Sequence, residues 1–448
     1  MIPPRPASSE RRGGLLRLAR AFRHDLLSAL PERFYRAWMA EFRAPFLHSF
    51  VCNDPDLVAL VLRGDPAEFP KSSRLREGLA PLLGHSIFVT NGEEWARQRR
   101  IIDPAFEGGR LRETFPAIRD AALALETRLT ALTGTEIDIE PEASHAASDA
   151  IFRTLFSLPI EHEIAARVFA AFRAHQDAQP IVNLAGLIPL PRWLPRPHSR
   201  RTRRTAATIR GLIRQLVEAR LAAIAAGEAP DDLASKIMTT PDPQTGRGFD
   251  RDEMVDQVAI FFLAGHETSA AALSWSLWLL ANAPDWQARV AEEAATLPAV
   301  PDFADLSRLP VTRAVFREAM RLYPPVPMLV REAAQPQTFR QRKVPRGAQL
   351  VLSPWHLHRH ERLWEAPHEF DPGRWETENG RAMMRRAYIP FSAGPRVCPG
   401  AGFAMIEGVL MIALALRAAR LETAGTPVPV ARLTVRGRDG IRLRLIPR

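Results

Sequence analysis

The 448-residue chain has only two cysteines and three lysines. Two cysteines cannot build a disulfide framework, so nothing here asks for an oxidising compartment. Lysine occurs only at Lys71, Lys236 and Lys343, so nearly all of the 60 basic residues are arginine, and the net charge is +10. In a chain rich in alanine and proline, that skew reads as coding bias. The basic runs Arg97–Arg100 and Arg201–Arg204 are short and far apart. No aromatic residues interleave with them, and neither helix-turn-helix nor zinc-finger spacing occurs, which argues against nucleic-acid binding. Internal repeats and an obvious interdomain linker are also missing.

A secretory signal is absent too. The apolar residues between Leu15 and Leu30 are interrupted by Arg17, Arg20, Arg23 and Asp25, leaving no uninterrupted apolar stretch. Residues 15–30 have the pattern of a basic helix able to rest on a membrane, but a surface helix or basic arm is the simpler reading. Val258–Ala283 is span-like and carries only Glu267 as a formal charge. An acid at mid-span costs roughly 2.5–3.5 kcal/mol, so a buried core helix fits better. A soluble, cytoplasmic protein is expected.

What is present is a globular composition, 46% apolar and 25% charged. Ala44–Leu62 reads as a short strand holding Cys52, an Asn-Asp-Pro turn, and a helix opening at Asp54. Apolar spacing predicts helices over 106–132 and 145–175. Prolines at 180, 189, 191, 195 and 197 then break the chain before a basic helix over 199–226. A loop over 241–248 precedes a long helix over 252–281. Beyond residue 330 short strands take over, then an apolar helix over 403–421 and a hairpin turning at Asp439–Gly440. The expected fold is mainly α with small β-sheets, in one large domain. An arm and helix over 1–44 would precede a domain over 45–448.

Cys398 carries the strongest chemical signal. It lies in Phe391-Ser-Ala-Gly394-Pro-Arg396-Val-Cys398-Pro-Gly400, which runs straight into the apolar helix. Such a loop delivers a sulfur to a helix N-terminus, where unsatisfied N–H groups stabilise an anion. Gly394 and Gly400 permit tight turns and a close backbone approach to a flat ligand. A lone cysteine suits one axial bond to iron, whereas zinc wants about four ligands. An inert buried thiol would leave the glycines and Arg396 unexplained.

This loop resembles the heme-binding loop of the cytochrome P450 family, and the resemblance extends over about residues 45–448. Glu318-Ala-Met-Arg321, with Phe370-Asp-Pro-Gly-Arg374-Trp375 downstream, resembles the family's Glu-Arg-Arg triad, which implies a structural role for Glu318, Arg321 and Arg374. Ala264-Gly265-His266-Glu267-Thr268 resembles the family's acid–alcohol pair, so Glu267 and Thr268 are expected to relay protons. A mid-helix glycine costs about 1 kcal/mol relative to alanine, and Gly265 is expected to leave room for dioxygen. The bland reading of Thr268, a hydroxyl bonded to the carbonyl four residues back, is compatible. Trp95 and Arg99 match the family's propionate-binding pair, and Arg331 and Arg396 match its other basic positions. His266 is expected to pack. The strand-like run His356, His358, His360 is read as packing rather than a metal site.

The resemblance implies a heme b monooxygenase with Cys398 as axial ligand, inserting one oxygen atom from O₂ into an apolar organic substrate. Phe88, Phe262, Leu263, Val326, Met328 and Leu329 are the expected pocket wall. Electrons would come from a separate ferredoxin or flavodoxin with its reductase, and Arg97, Arg100, Arg385 and Arg386 would steer an acidic partner. Ala401 departs from the polar or basic residue common after the family's last glycine. A monomer is expected. A peroxygenase or isomerase, or a heme sensor without catalysis, is the rival class; neither needs the acid–alcohol pair.

Overall fold

The computed structural model describes residues 1–6, 25–44, 47–107, 109–178, 198–431 and 433–448. The basic stretch over 15–24 and the proline-broken connection over 180–197 lie outside the described residues. Helices dominate and the sheets are small, as expected.

The organising element is the central helix, Arg251–Ala281. At 31 residues it is about 46 Å long. Asp250 accepts the Glu253 N–H at 2.8 Å while Glu253 accepts the Asp250 N–H at 2.9 Å, a reciprocal cap that marks its start. It is buried on nearly every side and packs against helices Ile139–Phe156, Arg200–Ala226, Pro310–Leu322 and Ala401–Ala418. A helix apolar all round belongs inside a core. Among the described residues, only Ala401–Ala418 is long and apolar enough to cross a membrane, and 61% of it is buried inside the protein.

Local signals hold where they are strong. The strand Leu47–Cys52 leads into Asp54, whose side chain accepts the Asp56 N–H at 3.0 Å, with Pro55 at the first helical position. The helix expected over 145–175 is two helices, Ile139–Phe156 and Glu163–Ala178. Ser157 ends the first with φ 56°, and Pro159 follows before Asp149 captures the Ile160 N–H at 2.8 Å.

Strands Met39–Ala44, Leu47–Cys52, Gln349–Leu352 and Leu329–Glu332 lie side by side in that order. The boundary expected at residue 44 therefore falls inside a hairpin, with Ala44 opposite Leu47. Residues 1–6 join the same body: the Phe370 N–H donates to the Met1 carbonyl at 2.9 Å, and the Tyr323 hydroxyl to that of Pro4 at 2.6 Å.

Two further expectations fail. The closing segment is no hairpin: Val435–Gly437 pairs with Pro429–Ala431, while Arg442–Ile446 lies between Glu136–Asp138 and Arg420–Thr423. The N–H groups beside the Asp439–Gly440 turn go to acids instead, Ile441 to Asp138 at 3.0 Å and Gly437 to Glu140 at 2.9 Å. The run His356–His360 is not strand-like but a helical turn, Pro354–Leu357, and the turn after it. His356 bonds Ser353 at 2.8 Å, His358 accepts the Ile389 N–H at 2.9 Å, and His360 stacks on Trp38. Burial lowers their pKa values to about 3, about 3 and about 4, so all three rings are neutral packing.

Candidate active site

The cysteine loop is built from its own backbone. The Cys398 N–H donates to the Phe391 carbonyl at 2.9 Å and the Val397 N–H to that of Gly394 at 3.0 Å, closing a turn just before helix Ala401–Ala418. Gly394 has φ +68°, and a Cβ there would lie 2.2 Å from the Leu62 carbonyl oxygen. Its close approach is therefore to the end of helix Pro55–Arg63 rather than to a ligand. Gly400 does leave open space: a Cβ there would meet only the Cys398 sulfur, at 3.9 Å.

Cys398 is exposed on one side although it lies deep among protein atoms. Burial raises its thiol pKa, against the pull of the Gly400 N–H and the Arg99 charge. A bound metal would favour the thiolate.

Beside this loop, cations gather around Trp95. The Arg396 guanidinium lies 5.0 Å from the Trp95 ring centroid and the Lys71 ammonium 5.7 Å from it. Arg396 donates to the carbonyls of Phe69 (2.7 Å) and Pro66 (3.2 Å) and to Asn91 (3.0 Å), leaving its buried Nε without a partner. Among the described residues the Arg331 side chain donates only to the neighbouring Val330 carbonyl, at 3.0 Å, and that of Lys71 to the Ile87 carbonyl. Among the described residues no carboxylate pairs with Lys71, Arg331 or Arg396. Burial, reinforced by the charge of Arg396, lowers the Arg331 pKa to about 10. Burial likewise lowers Arg396 to about 10, opposed by Asp65. Lys71 falls well below the usual lysine range through burial and the charges of Arg396, Arg331 and Arg99.

Arg99 lies on the same helix as Trp95. It bridges Asp103 at 2.9 Å and the Val397 carbonyl at 2.8 Å, so it ties the helix carrying Trp95 to the cysteine loop. The whole arrangement has an open sulfur and, beside it, buried and half-buried cations with no carboxylate paired to them among the described residues, and an unpartnered Nε. An iron porphyrin with two carboxylate side chains fits those vacant valences.

The central helix supplies a second wall. Ala264 is exposed at mid-helix although Phe262 and Leu263 before it are buried, which marks an internal space. Thr268 donates to the Ala264 carbonyl at 2.5 Å. Glu267 is buried and turned to the start of strand Val435–Gly437, where it accepts from Thr434 at 3.0 Å and pairs with Arg436 at 3.1 Å. Its other oxygen has no partner among the described residues. His266 bonds the Phe262 carbonyl at 3.0 Å and is lowered in pKa by burial, against the nearby Glu267 charge. Gly265 does not open space for a gas: a Cβ there would lie 2.4 Å from Ile151, so the glycine serves the packing of two helices.

The expected pocket residues divide. Phe88 is 40% exposed between buried Ile87 and Val89, and Val326, Met328 and Leu329 are half-buried. Leu263 is buried. Phe262 faces away, packed on Phe152 with centroids 4.4 Å apart and near Phe156 and Phe172, so it is core. Three of the four steering arginines are already paired. Arg97 bonds Glu253 at 2.6 Å, and Arg100 bonds Asp242 at 2.6 Å and Glu93 at 2.7 Å. Arg386 pairs with exposed Asp56 at 3.1 Å.

Behind the loop, Glu318 accepts from Arg321 at 2.8 and 2.9 Å and from Arg374 at 2.9 Å. The remaining guanidinium N–H groups go to the carbonyls of His358, Pro367, Glu369, Glu365 and Ala366. Helix Pro310–Leu322 is thereby joined to the irregular chain that leads to Cys398. Lys71 and Arg436 were not singled out from sequence. The rarity of lysine was the one available hint for the first.

A family model described as Cytochrome P450 matches residues 3–436. The chain is 32% identical over 396 residues to cyclooctat-9-en-7-ol 5-monooxygenase of Streptomyces melanosporofaciens, covering 87% of this chain and 83% of that one. It is 29% identical over 410 residues to cytochrome P450 CYP72A616 of Paris polyphylla, covering 88% and 78%. The crystal structure of the cytochrome P450DA heme domain superposes with a TM-score of 0.80 at 24% identity, covering 100% of this chain and 97% of that one.

Proposed function

Because the chain belongs to the cytochrome P450 family and is a heme b monooxygenase, we propose that Cys398 is the axial ligand and that an apolar organic molecule is the substrate. The observation that carries this reading is the juxtaposition of a one-sided exposed cysteine with buried and half-buried cations that no carboxylate pairs among the described residues. Heme b, when bound, supplies the iron at which dioxygen is activated and one oxygen atom is inserted into a C–H or C=C bond.

The chain's own residues do the rest. Lys71, Arg331 and Arg396 hold the two heme carboxylates, and Trp95 presents an aromatic face to two of these cations. Phe88, Val326, Met328 and Leu329 bound the substrate space and exclude water from it. The Streptomyces relative is named for a cyclic alcohol, a substrate of the same apolar class. Thr268 holds a proton at its hydroxyl, now donated to Ala264. Glu267 delivers protons to that hydroxyl after leaving Arg436. Electrons arrive from an acidic protein of ferredoxin or flavodoxin type. It docks on the face where Arg63 and Arg385 adjoin, next to the turn at Gly394.

The decisive experiment is a reduced-plus-carbon-monoxide difference spectrum of the purified holoenzyme. A long-wavelength Soret band, lost in Cys398→Ser while heme stays bound, is the expected result. A band that survives the substitution would remove Cys398 as ligand.

A further inference from the structure

Asp256 lies on the central helix two turns before Ala264, away from the cysteine, and its carboxylate joins three elements. Its Oδ2 accepts the His85 N–H at 2.6 Å, and its Oδ1 accepts from Arg210 of helix Arg200–Ala226 at 2.6 Å. The same Arg210 nitrogen donates to the Leu82 carbonyl at 3.1 Å. Gly84, between Leu82 and His85 in space as in sequence, has φ +47° and no room for a side chain. A Cβ there would lie 2.3 Å from the Asp256 carboxylate. Glycine at 84 is thus required twice, by its backbone conformation and by the carboxylate seated against it.

The next residue on the helix continues the attachment. Gln257, fully buried, accepts the Ile87 N–H at 2.9 Å. From the other side Gln98 donates to the His85 carbonyl at 2.7 Å and accepts from Thr90 at 2.6 Å. Segment Gly84–Thr90 is therefore fastened at nearly every residue except Phe88, whose side chain stands 40% exposed between two buried neighbours. The fastening sets where that ring can stand.

We infer that Asp256 is a positioning residue that holds Phe88 at the wall of the substrate space and thereby limits the size of molecule admitted. The inference rests on the reading of Phe88 as pocket wall. Removing the carboxylate frees the His85 N–H and Arg210 together, and the segment relaxes away from the central helix.

The test compares the holoenzyme with Phe88→Ala, Asp256→Asn, Asp256→Ala, Gly84→Ala and the Gly84→Ala/Asp256→Ala double variant. Imidazole and 4-phenylimidazole are titrated by their Soret shifts, and the readout is the ratio of the two affinities. Phe88→Ala is expected to raise the ratio in favour of the larger probe. Asp256→Ala should move it the same way by about tenfold, within the range of couplings between contacting residues. Asp256→Asn, which keeps an acceptor for the His85 N–H, should fall between. Gly84→Ala should move the ratio in the wild-type background and less when Asp256 is already alanine, because the clash has gone and only the backbone strain is left. A shifted ratio in Phe88→Ala with none in Asp256→Ala would overturn the positioning role and leave the pocket reading intact. An unchanged ratio in Phe88→Ala would overturn both. Equal losses for both probes in Asp256→Ala, with a weakened carbon monoxide band, would indicate general loosening and also overturn it.

Discussion

Glu318, Arg321 and Arg374 set one carboxylate between two guanidinium groups, and backbone carbonyls take the N–H groups left over. Lys71, Arg331 and Arg396 gather three cations about Trp95 and the neighbouring strand, with no carboxylate paired to any of them among the described residues. The first cluster is buried and complete in itself; in the second Arg331 is buried while Lys71 and Arg396 are half-buried. A buried charge must be paired or its burial is heavily penalised. The first cluster therefore belongs to the fold, and the second is shaped for something the fold does not contain. Glu407 is a third solution. It is wholly buried, with Ser269 at 2.5 Å as its one bonded partner and one oxygen unpartnered among the described residues. Burial raises its pKa to about 8, so it escapes the penalty by keeping its proton.

Breaking the first cluster should have the largest effect. Glu318→Ala leaves two facing guanidinium groups buried without a counter-charge, a loss of about 3–5 kcal/mol. Little soluble, heme-loaded protein should be recovered. An unfolding midpoint in denaturant close to wild type would show the triad to be dispensable.

The Glu407 contrast is a matter of pH. Its folded pKa lies above the ordinary glutamate value, so the folded state binds a proton more tightly than the unfolded chain. No penalty exists below the unfolded pKa; it grows as pH rises toward 8 and is constant beyond. Glu407→Gln should therefore match wild type in acid and exceed it at pH 7 by about 3 kcal/mol at most. Urea unfolding at several pH values checks this, and a gap that narrows with rising pH would reverse the assignment.

The smallest effect sharpens the comparison most, because its sign should invert between two states. Lys71→Met removes an uncompensated cation, so the heme-free protein should be unchanged or more stable. The holoenzyme should release heme faster, in keeping with a lost charge-assisted bond of about 1.5–3 kcal/mol. Transfer of heme to an apoglobin measures the rate. Destabilisation of the heme-free form would place Lys71 with the fold and not with the ligand.

Much of this was legible in the chain. The cap at Asp54 and the cysteine loop depend on residues within a few positions of one another. The long helix was placed within a residue of its true start, whereas the break at Ser157 and Pro159 inside the expected helix over 145–175 was missed. Less legible was what each glycine spares. Gly265 meets Ile151 and Gly394 meets Leu62, partners more than a hundred residues away in sequence. The hairpin failed for the same reason. A turn signal specifies a reversal of direction, but the partners of Val435–Gly437 and Arg442–Ile446 come from other segments. Phe262 looked like pocket lining by its neighbours in sequence, yet rotation about the helix turns it into an aromatic cluster.

Sequence by itself determined the helices, their caps, the cysteine before the last long helix and the residues able to carry charge, because those follow from short-range sterics and hydrogen bonding. Only the tertiary structure decided which charges are paired, that Arg99 ties the loop while Lys71 joins the cationic cluster, and that Glu267 is bonded to Arg436. Compensation of a buried charge is a property of its surroundings, and those are assembled from segments hundreds of residues apart.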